Sequence, residues 1–267
     1  MLANRKDLTD KVVVITGGSG GLGEQIAYAC ASQNAKVVVC ARRINLLGKV
    51  KQNCEDISGK RAYAFQLDVA NPENIKEVVE RIRDEVGPID VLVNNAGFGY
   101  FENAIDFDMS LAEKMFRVNV LGMMYMTQLV AIEMTDRMSG HIINIASQAG
   151  KMATQKSSVY SATKFAVLGY SNALRLELKP FGVYVTTVNP GPIETNFFDI
   201  ADKSGDYLEK VEHLVLNPTV VANRVVGLMG VPRRELNMPG LLEVASKLYT
   251  LFPTVGDYIA ANMFNAK

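Results

Sequence analysis

The sequence predicts a doubly wound α/β fold: a parallel sheet with helices on both faces, in a single domain over 1–267 that ends in a helical C-terminal extension from about 236 to 267. Three observations predict it. Short β-branched runs recur at 12–16, 36–40, 62–67, 89–93, 141–145 and 183–188, and most are continuously apolar, as strands covered on both faces should be. Helical stretches separate them at 22–32, 44–57, 73–86, 110–136, 158–179 and 218–230. No linker, charge run or internal repeat divides the 267 residues, and strict β-α-β alternation allows little but a parallel sheet with right-handed crossovers.

The first strand runs into Thr16-Gly17-Gly18-Ser19-Gly20-Gly21-Leu22-Gly23, which opens a helix. Five glycines destabilise a chain unless backbone must pass close to something. A strand, a glycine turn and a helix N-terminus together aim free N–H groups and the positive dipole end at a pyrophosphate. Three patterns fit. Gly18, Gly20 and Gly23 match G-x-G-x-x-G; Gly17, Gly21 and Gly23 match T-G-x-x-x-G-x-G; Gly17 to Gly21 match G-x-S-x-G, a nucleophile elbow built on Ser19. The elbow needs an oxyanion loop upstream, and only about a dozen residues precede the strand. The dinucleotide readings are the stronger.

At the end of the second strand, where an NAD site carries an acid for the ribose 2′-hydroxyl, stand Ala41, Arg42 and Arg43. A guanidinium suits a 2′-phosphate, at about 1.5–3 kcal/mol for each charge-assisted bond. The expected cofactor is NADP(H). Further on, Pro72 opens the third helix, where its missing N–H costs nothing, and Gly87-Pro88 stops that helix.

Composition narrows the class. Lys+Arg and Asp+Glu both number 28, a balance that argues against a nucleic-acid partner. Hydrophobic residues make up 48% and charged ones 21%, so disorder is not expected. Cys30, Cys40 and Cys54 form neither a disulfide framework nor a metal site, and no H-x-x-H or C-x-x-C spacing occurs. The expectations are a reduced, cytoplasmic compartment, no membrane span and no metal.

Tyr160 and Lys164 stand at i and i+4 in Ser158-Val-Tyr-Ser-Ala-Thr-Lys164, so a helix presents both on one face. Alone the pair carries little weight in a chain with ten tyrosines. Its neighbours give it meaning. Ser147 follows the fifth strand, Asn94-Asn95-Ala96-Gly97 ends the fourth, and Asn119 lies in the helix after it. Strand carboxyl ends are where open parallel sheets bind ligands. His141 begins a strand and His213 lies in a variable segment; both read as structural or exposed.

In this order the motifs resemble the short-chain dehydrogenase/reductase family in its single-domain form, from about residue 8 to 230. They are Thr16-Gly17-x-x-x-Gly21-x-Gly23, Asp68-Val69, Asn94 to Gly97, Asn119, Ser147, Tyr160-x-x-x-Lys164 and Pro190-Gly191-Pro-Ile193-Glu-Thr195. The resemblance implies a Rossmann-type fold and hydride transfer between a nicotinamide and a carbonyl/alcohol pair. It selects Gly17, Gly21 and Gly23 as the glycine register. It also implies roles. Tyr160 is the acid–base group, Ser147 bonds the substrate oxygen, Lys164 holds the nicotinamide ribose, and Asn119 positions a water that relays protons to Lys164. Free tyrosine titrates near ~10, and an ammonium at ~4 Å supplies about the 4 kcal/mol needed to bring it to neutrality. Cofactor contacts fall on Gly17, Ser19, Gly20, Gly21, Leu22 and Gly23; on Arg42, Arg43, Asp68 and Val69; on Asn95, Ala96 and Gly97; and on Tyr160, Lys164, Pro190, Gly191, Ile193 and Thr195.

Bulky apolar residues surround the inferred site: Phe98, Tyr100 and Phe101, Met152, and Phe197 with Phe198. With Ser147 they make Phe98, Tyr100, Met152 and Phe197 the expected substrate contacts, for a lipophilic or aromatic carbonyl rather than a charged sugar or small keto acid; 196–216 occupies the family's substrate loop. In the tail, Leu241, Val244, Ala245, Leu248 and Phe252 form one apolar helical stripe. This tail departs from the glycine-rich last strand common in the family and puts a tetramer in doubt. It could cover the substrate entrance, pack on a partner subunit or touch a membrane surface. The resemblance implies a homodimer through the helices carrying Asn119 and Tyr160. The competing functions are a cofactor-sensing protein without catalysis, a hydrolase built on Ser19, and, within enzymes, a 3-oxoacyl-carrier-protein reductase.

Overall fold

The computed structural model describes residues 8–202 and 214–263, and in it seven strands form one wholly parallel sheet in the order β3-β2-β1-β4-β5-β6-β7. They are β1 (Val12–Thr16), β2 (Lys36–Ala41), β3 (Tyr63–Gln66), β4 (Val91–Asn94), β5 (Gly140–Ile145), β6 (Val183–Pro190) and β7 (Glu235–Met238). Successive strand residues point to opposite faces, so each strand feeds two cores. Val13 and Ile15 belong to one core with Ile26 and Val221; Val12 and Val14 belong to the other with Ile75 and Met126. Both faces being covered is why these strands are continuously apolar rather than alternating.

The second of these cores draws on α3 (Pro72–Glu85), α5 (Met123–Asp136) and α6 (Ser158–Leu178), with α4 (Met109–Phe116) leading into α5. Helices α1 (Gly21–Ala31), α2 (Ile44–Ser58) and α8 (Pro218–Val226) supply the first, and a short helix, α7 (Phe197–Ala201), follows β6. Local chemistry sets the ends. Asn71 caps α3 by accepting from the Asn74 N–H, with Pro72 in the first turn, and Gly59 closes α2 at φ 66°. The three cysteines are free and buried, and burial pushes the Cys40 and Cys54 thiols up to about 12.

The strand order reverses between β1 and β4. Crossovers leave in opposite directions there, which opens a crevice at the carboxyl edge of the sheet. The glycine loop, Asp68, Asn95 to Gly97, Ser147, Tyr160 and Lys164 all line a cleft at that edge.

Two expectations need correction. The predicted 110–136 helix is interrupted by a π-helical stretch, Arg117–Gly122. That wider turn carries Asn119 inward and brings Gly122 against the Val69 carbonyl, where a side chain would not fit. The extension begins later than predicted, because Glu235–Met238 is a seventh strand paired with β6. Two polar residues in four disguise it: only Leu236 and Met238 are buried at this edge. The tail stripe, whose position the sequence left open, does not pack as a core face: Leu241, Val244, Leu248 and Phe252 are all exposed.

Among the described residues, one helical span, Met109–Asp136, is long and apolar enough to cross a membrane. In the fold it is a helix of the body, with Met115, Met126 and Met134 fully buried.

Candidate active site

The glycine loop is held from two sides. Thr16 Oγ1 accepts from the N–H groups of Asn95 and Ala96, both at 3.0 Å, and the Asn95 amide donates to the carbonyls of Thr16 (3.0 Å) and Gly17 (3.3 Å). The exit of β4 therefore staples the exit of β1. Gly17 and Gly21 adopt φ of 67° and 58°, and a Cβ on Gly17 would fall 2.9 Å from Ala96 Cα. Gly23 does a different job from its neighbours. It does not line the cleft; a Cβ there would lie 2.5 Å from the Gly17 carbonyl, so its bareness lets α1 start tight against the loop.

Gly20 caps α1 with no side-chain hydrogen bond. The first-turn N–H groups of α1 are thus available to an anion, and a Cβ on Gly20 would have Arg43 as its nearest neighbour, at 3.7 Å. Arg43 Nη2 donates to Ser19 Oγ at 3.1 Å. Arg42 and Arg43 are both exposed and both line the cleft, beside Ala41. Among the described residues Ser19 bonds an arginine and has no histidine base: His141 is fully buried, between Thr186 Oγ1 and the Gly230 N–H. His213 lies outside the described residues. A hydrolase on Ser19 has no support from this geometry.

One cleft of about 1140 Å3 runs along the sheet edge. Its cofactor half is walled by Gly17, Ser19, Gly20, Gly21 and Leu22, then by Asp68 and Val69 beyond β3, and by Asn95, Ala96 and Gly97 beyond β4. Asp68 is oriented by the Ala70 N–H, which donates to its Oδ1 at 2.9 Å. Pro190, Gly191, Ile193 and Thr195 close the opposite side, and a Cβ on Gly21 would touch Thr195 at 3.4 Å. Bare backbone, free helix N–H groups and flanking guanidiniums fit a dinucleotide.

At the centre lie Ser147, Tyr160 and Lys164, all lining the cleft. Tyr160 and Lys164 share one face of α6, with the ammonium 5.7 Å from the phenol ring centroid. Lys164 Nζ donates to the Ile145 carbonyl at 2.9 Å, and burial pulls its pKa down to about 8. Ser147 is extended and caps the short 3₁₀ turn Gln148–Gly150, accepting from the Ala149 N–H at 3.1 Å.

Asn119 is near but does not line the cleft. Its Oδ1 accepts from the Phe98 N–H at 3.0 Å, and its Nδ2 donates to the Phe98 carbonyl at 2.8 Å and to Thr163 at 3.2 Å. The side chain thus pins the loop after β4 to α6. Asn94 is likewise structural, donating to Thr127 and Asn144 in the core.

On the substrate side Phe98, Met152 and Phe197 line the cleft. Tyr100 does not: its ring sits edge-on to Phe107, 5.9 Å between centroids, in the cluster behind the site. Phe101 and Phe198 take the place expected of it. Phe101 and Phe197 each pack on the Tyr160 ring, at 5.9 and 5.7 Å, and Gly99 makes room for Phe197 there. Sequence reasoning also left the tail's position open. The structure puts Leu241, Ala245, Leu248 and Phe252 of the predicted stripe on the cleft, but turns Val244 away.

With the site assembled, the chain matches the family model for short chain dehydrogenases over residues 11–204. The protein belongs to the short-chain dehydrogenase family. It is an oxidoreductase of that family, similar to an uncharacterized oxidoreductase of Staphylococcus saprophyticus, 39% identical over 71% of this chain and 81% of the relative. Among solved structures of the family it resembles a serine dehydrogenase complexed with NADP+, with TM-score 0.78 and 34% identity over 85% of this chain and 94% of that one. It also resembles a 3-ketoacyl-(acyl-carrier-protein) reductase from Brucella melitensis complexed with NADH, with TM-score 0.78 and 28% identity over 86% and 97%. Short-chain dehydrogenases bind nicotinamide cofactors, and both phosphorylated and unphosphorylated forms occur among these neighbours.

Proposed function

We propose that this protein is an NADP(H)-dependent oxidoreductase that interconverts a lipophilic carbonyl compound and its alcohol. The observation that carries the reading is the pairing of Tyr160 and Lys164 on one face of α6, both in the cleft that the glycine loop opens. The bound nicotinamide would give or accept the hydride. Tyr160 would hold the proton at its Oη, giving it to the carbonyl oxygen in reduction and taking it back in oxidation. Lys164, protonated below about pH 8, places a positive charge beside the phenol and favours its ionised form. Ser147 would donate to the same oxygen and stabilise its developing charge. Asn119 holds the loop that carries Phe98, so its contribution is to keep the cleft's floor in place.

NADP(H) rather than NAD(H) is supported by Ala41 standing where an acid would bind the ribose, and by Arg43 folded over Ser19. A lipophilic substrate is supported by Phe98, Phe101, Met152 and Phe197 around the phenol. A homodimer is supported by exposed apolar side chains on α5 and α6, among them Tyr125, Ile132, Phe165 and Leu176.

The test is NADPH oxidation with a panel of hydrophobic ketones and charged keto acids, with Tyr160→Phe as control. The reading expects turnover of the ketones and a loss of about a hundredfold or more in the variant. Activity that survives in Tyr160→Phe, or preference for small charged keto acids, overturns it.

A further inference from the structure

Beyond β7 the chain continues into two helices that pack on each other, α9 (Gly240–Leu251) and α10 (Pro253–Met263). Their amphipathic pattern has an unusual outcome. Leu248, Phe252 and Val255 line the catalytic cleft, yet they are 52%, 59% and 56% exposed. Of the residues of α9, only Ser246 is buried. The apolar stripe therefore faces the cleft and is not used to build the core.

The hairpin is nevertheless fastened. Tyr249 Oη donates to Asp257 Oδ1 at 2.6 Å, joining α9 to α10, and it accepts from the Ala153 N–H. Ala153 belongs to the loop that follows Ser147. Gly256 has no side chain because the Tyr249 ring occupies that space. These contacts hold the apolar wall in a set position relative to the reacting centre.

Charge along the cleft is strongly segregated. Glu24, Arg42, Arg43 and Asp68 stand at the glycine-loop end, and Lys164 at the centre. No charged side chain of α9 or α10 among the described residues lines the cleft; Glu243, Lys247 and Asp257 point elsewhere. On the inner side the channel is bounded by Phe101, Phe197 and Phe198, which pack together around Tyr160. A surface that is apolar on both sides, continuous with the catalytic centre and without a charge to meet a polar group suits an unbranched hydrocarbon chain.

We propose that the α9–α10 hairpin is the wall of an alkyl-chain channel, so that the substrate is a long-chain ketone or its secondary alcohol. Its carbonyl lies at Tyr160 and its chain runs out along Leu248, Phe252 and Val255. This rests on the oxidoreductase reading and narrows it from lipophilic to long-chain.

The experiment measures kcat/KM with NADPH for methyl ketones from pentanone to pentadecanone. Each methylene that reaches the wall should raise kcat/KM by about threefold to fourfold, until the channel is filled. The double variant Leu248→Glu with Phe252→Glu puts two carboxylates in the channel at exposed positions, which the fold tolerates. It should lower the pentadecanone-to-pentanone ratio at least tenfold. Val244→Glu, on the same helix but off the cleft, should keep the wild-type ratio. A flat chain-length series, an unchanged ratio in the double variant, or an equal fall in Val244→Glu overturns the proposal.

Binding of a pyrene-labelled long-chain methyl ketone, followed by fluorescence anisotropy, separates the two claims. Tight binding that the double variant weakens tenfold, with no turnover of any ketone, supports the wall and overturns the oxidoreductase reading. Turnover of pentanone without binding of the labelled chain does the reverse.

Discussion

Lys164 donates to the main-chain carbonyl of Ile145 at 2.9 Å, so the ammonium is moored to the end of β5. The mooring fixes the charge beside the phenol, but it places a cation in the protein interior, where burial alone pulls its pKa from 10.5 to about 8. In the unfolded chain this lysine keeps its proton up to about pH 10.5; in the folded protein it releases it near pH 8. Between those values the unfolded state binds more protons, so stability rises with pH. Lys164→Met should lack that rise. Relative to the variant, the wild type should gain up to about 3 kcal/mol across the window in urea titrations at stepped pH. The same variant should lose reductase activity about a hundredfold or more at pH 7.

Cofactor choice should follow the two arginines. Arg43→Ala should raise the Kd for NADPH about tenfold to a hundredfold, from the loss of a charge-assisted bond, and leave the Kd for NADH within a few-fold. Ala41→Asp should act in the opposite sense, favouring NADH and repelling the 2′-phosphate. Fluorescence titration with both dinucleotides reads each ratio. Equal effects on the two cofactors would remove the arginines from phosphate recognition.

The glycine loop depends on Asn95 as much as on its glycines. Asn95→Ala deletes two bonds to the carbonyls of Thr16 and Gly17 and should destabilise by about 1–3 kcal/mol. Gly23→Ala should destabilise by about the same amount through overpacking against the Gly17 carbonyl. Both should weaken dinucleotide binding, because each moves the loop and neither removes a contacting charge. Thermal melts with and without NADPH test this: the stabilisation conferred by the cofactor should shrink in both variants.

His141 supplies a contrast. Gly230 N–H donates to its Nδ1 at 3.0 Å, so Nε2 carries the proton and donates to Thr186 Oγ1 at 2.9 Å. His141→Leu leaves buried polar groups without partners and should cost about 2–4 kcal/mol. The Kd for NADPH should not change, since the histidine lies at the opposite end of β5 from Ile145. A change in cofactor affinity larger than twofold would contradict a purely structural role.

The strands that carry the site were legible because burial on both faces leaves uninterrupted β-branched runs, as in 12–16 and 36–40. β7 was not legible. At the sheet edge only Leu236 and Met238 need be apolar, and Glu235 and Asn237 mask the strand. Tyr160 and Lys164 could be paired from their spacing alone, because helical geometry is local. The division of labour among Tyr100, Phe101 and Phe198 could not, since three nearby aromatic residues look alike until packing turns Tyr100 toward Phe107, Phe101 onto the phenol and Phe198 onto Phe101.

What the sequence by itself determined was the alternating parallel architecture, the glycine loop, the arginines after β2 and the helical face bearing Tyr160 and Lys164. Each of these depends on residues close together in the chain. Only the tertiary structure decided that Asn95 braces the loop, that Asn119 bonds Phe98 and not the cleft, and that the tail's apolar stripe faces the catalytic centre. Those outcomes depend on which distant segments meet, and a hydrophobic stripe read from the sequence does not say what it will face.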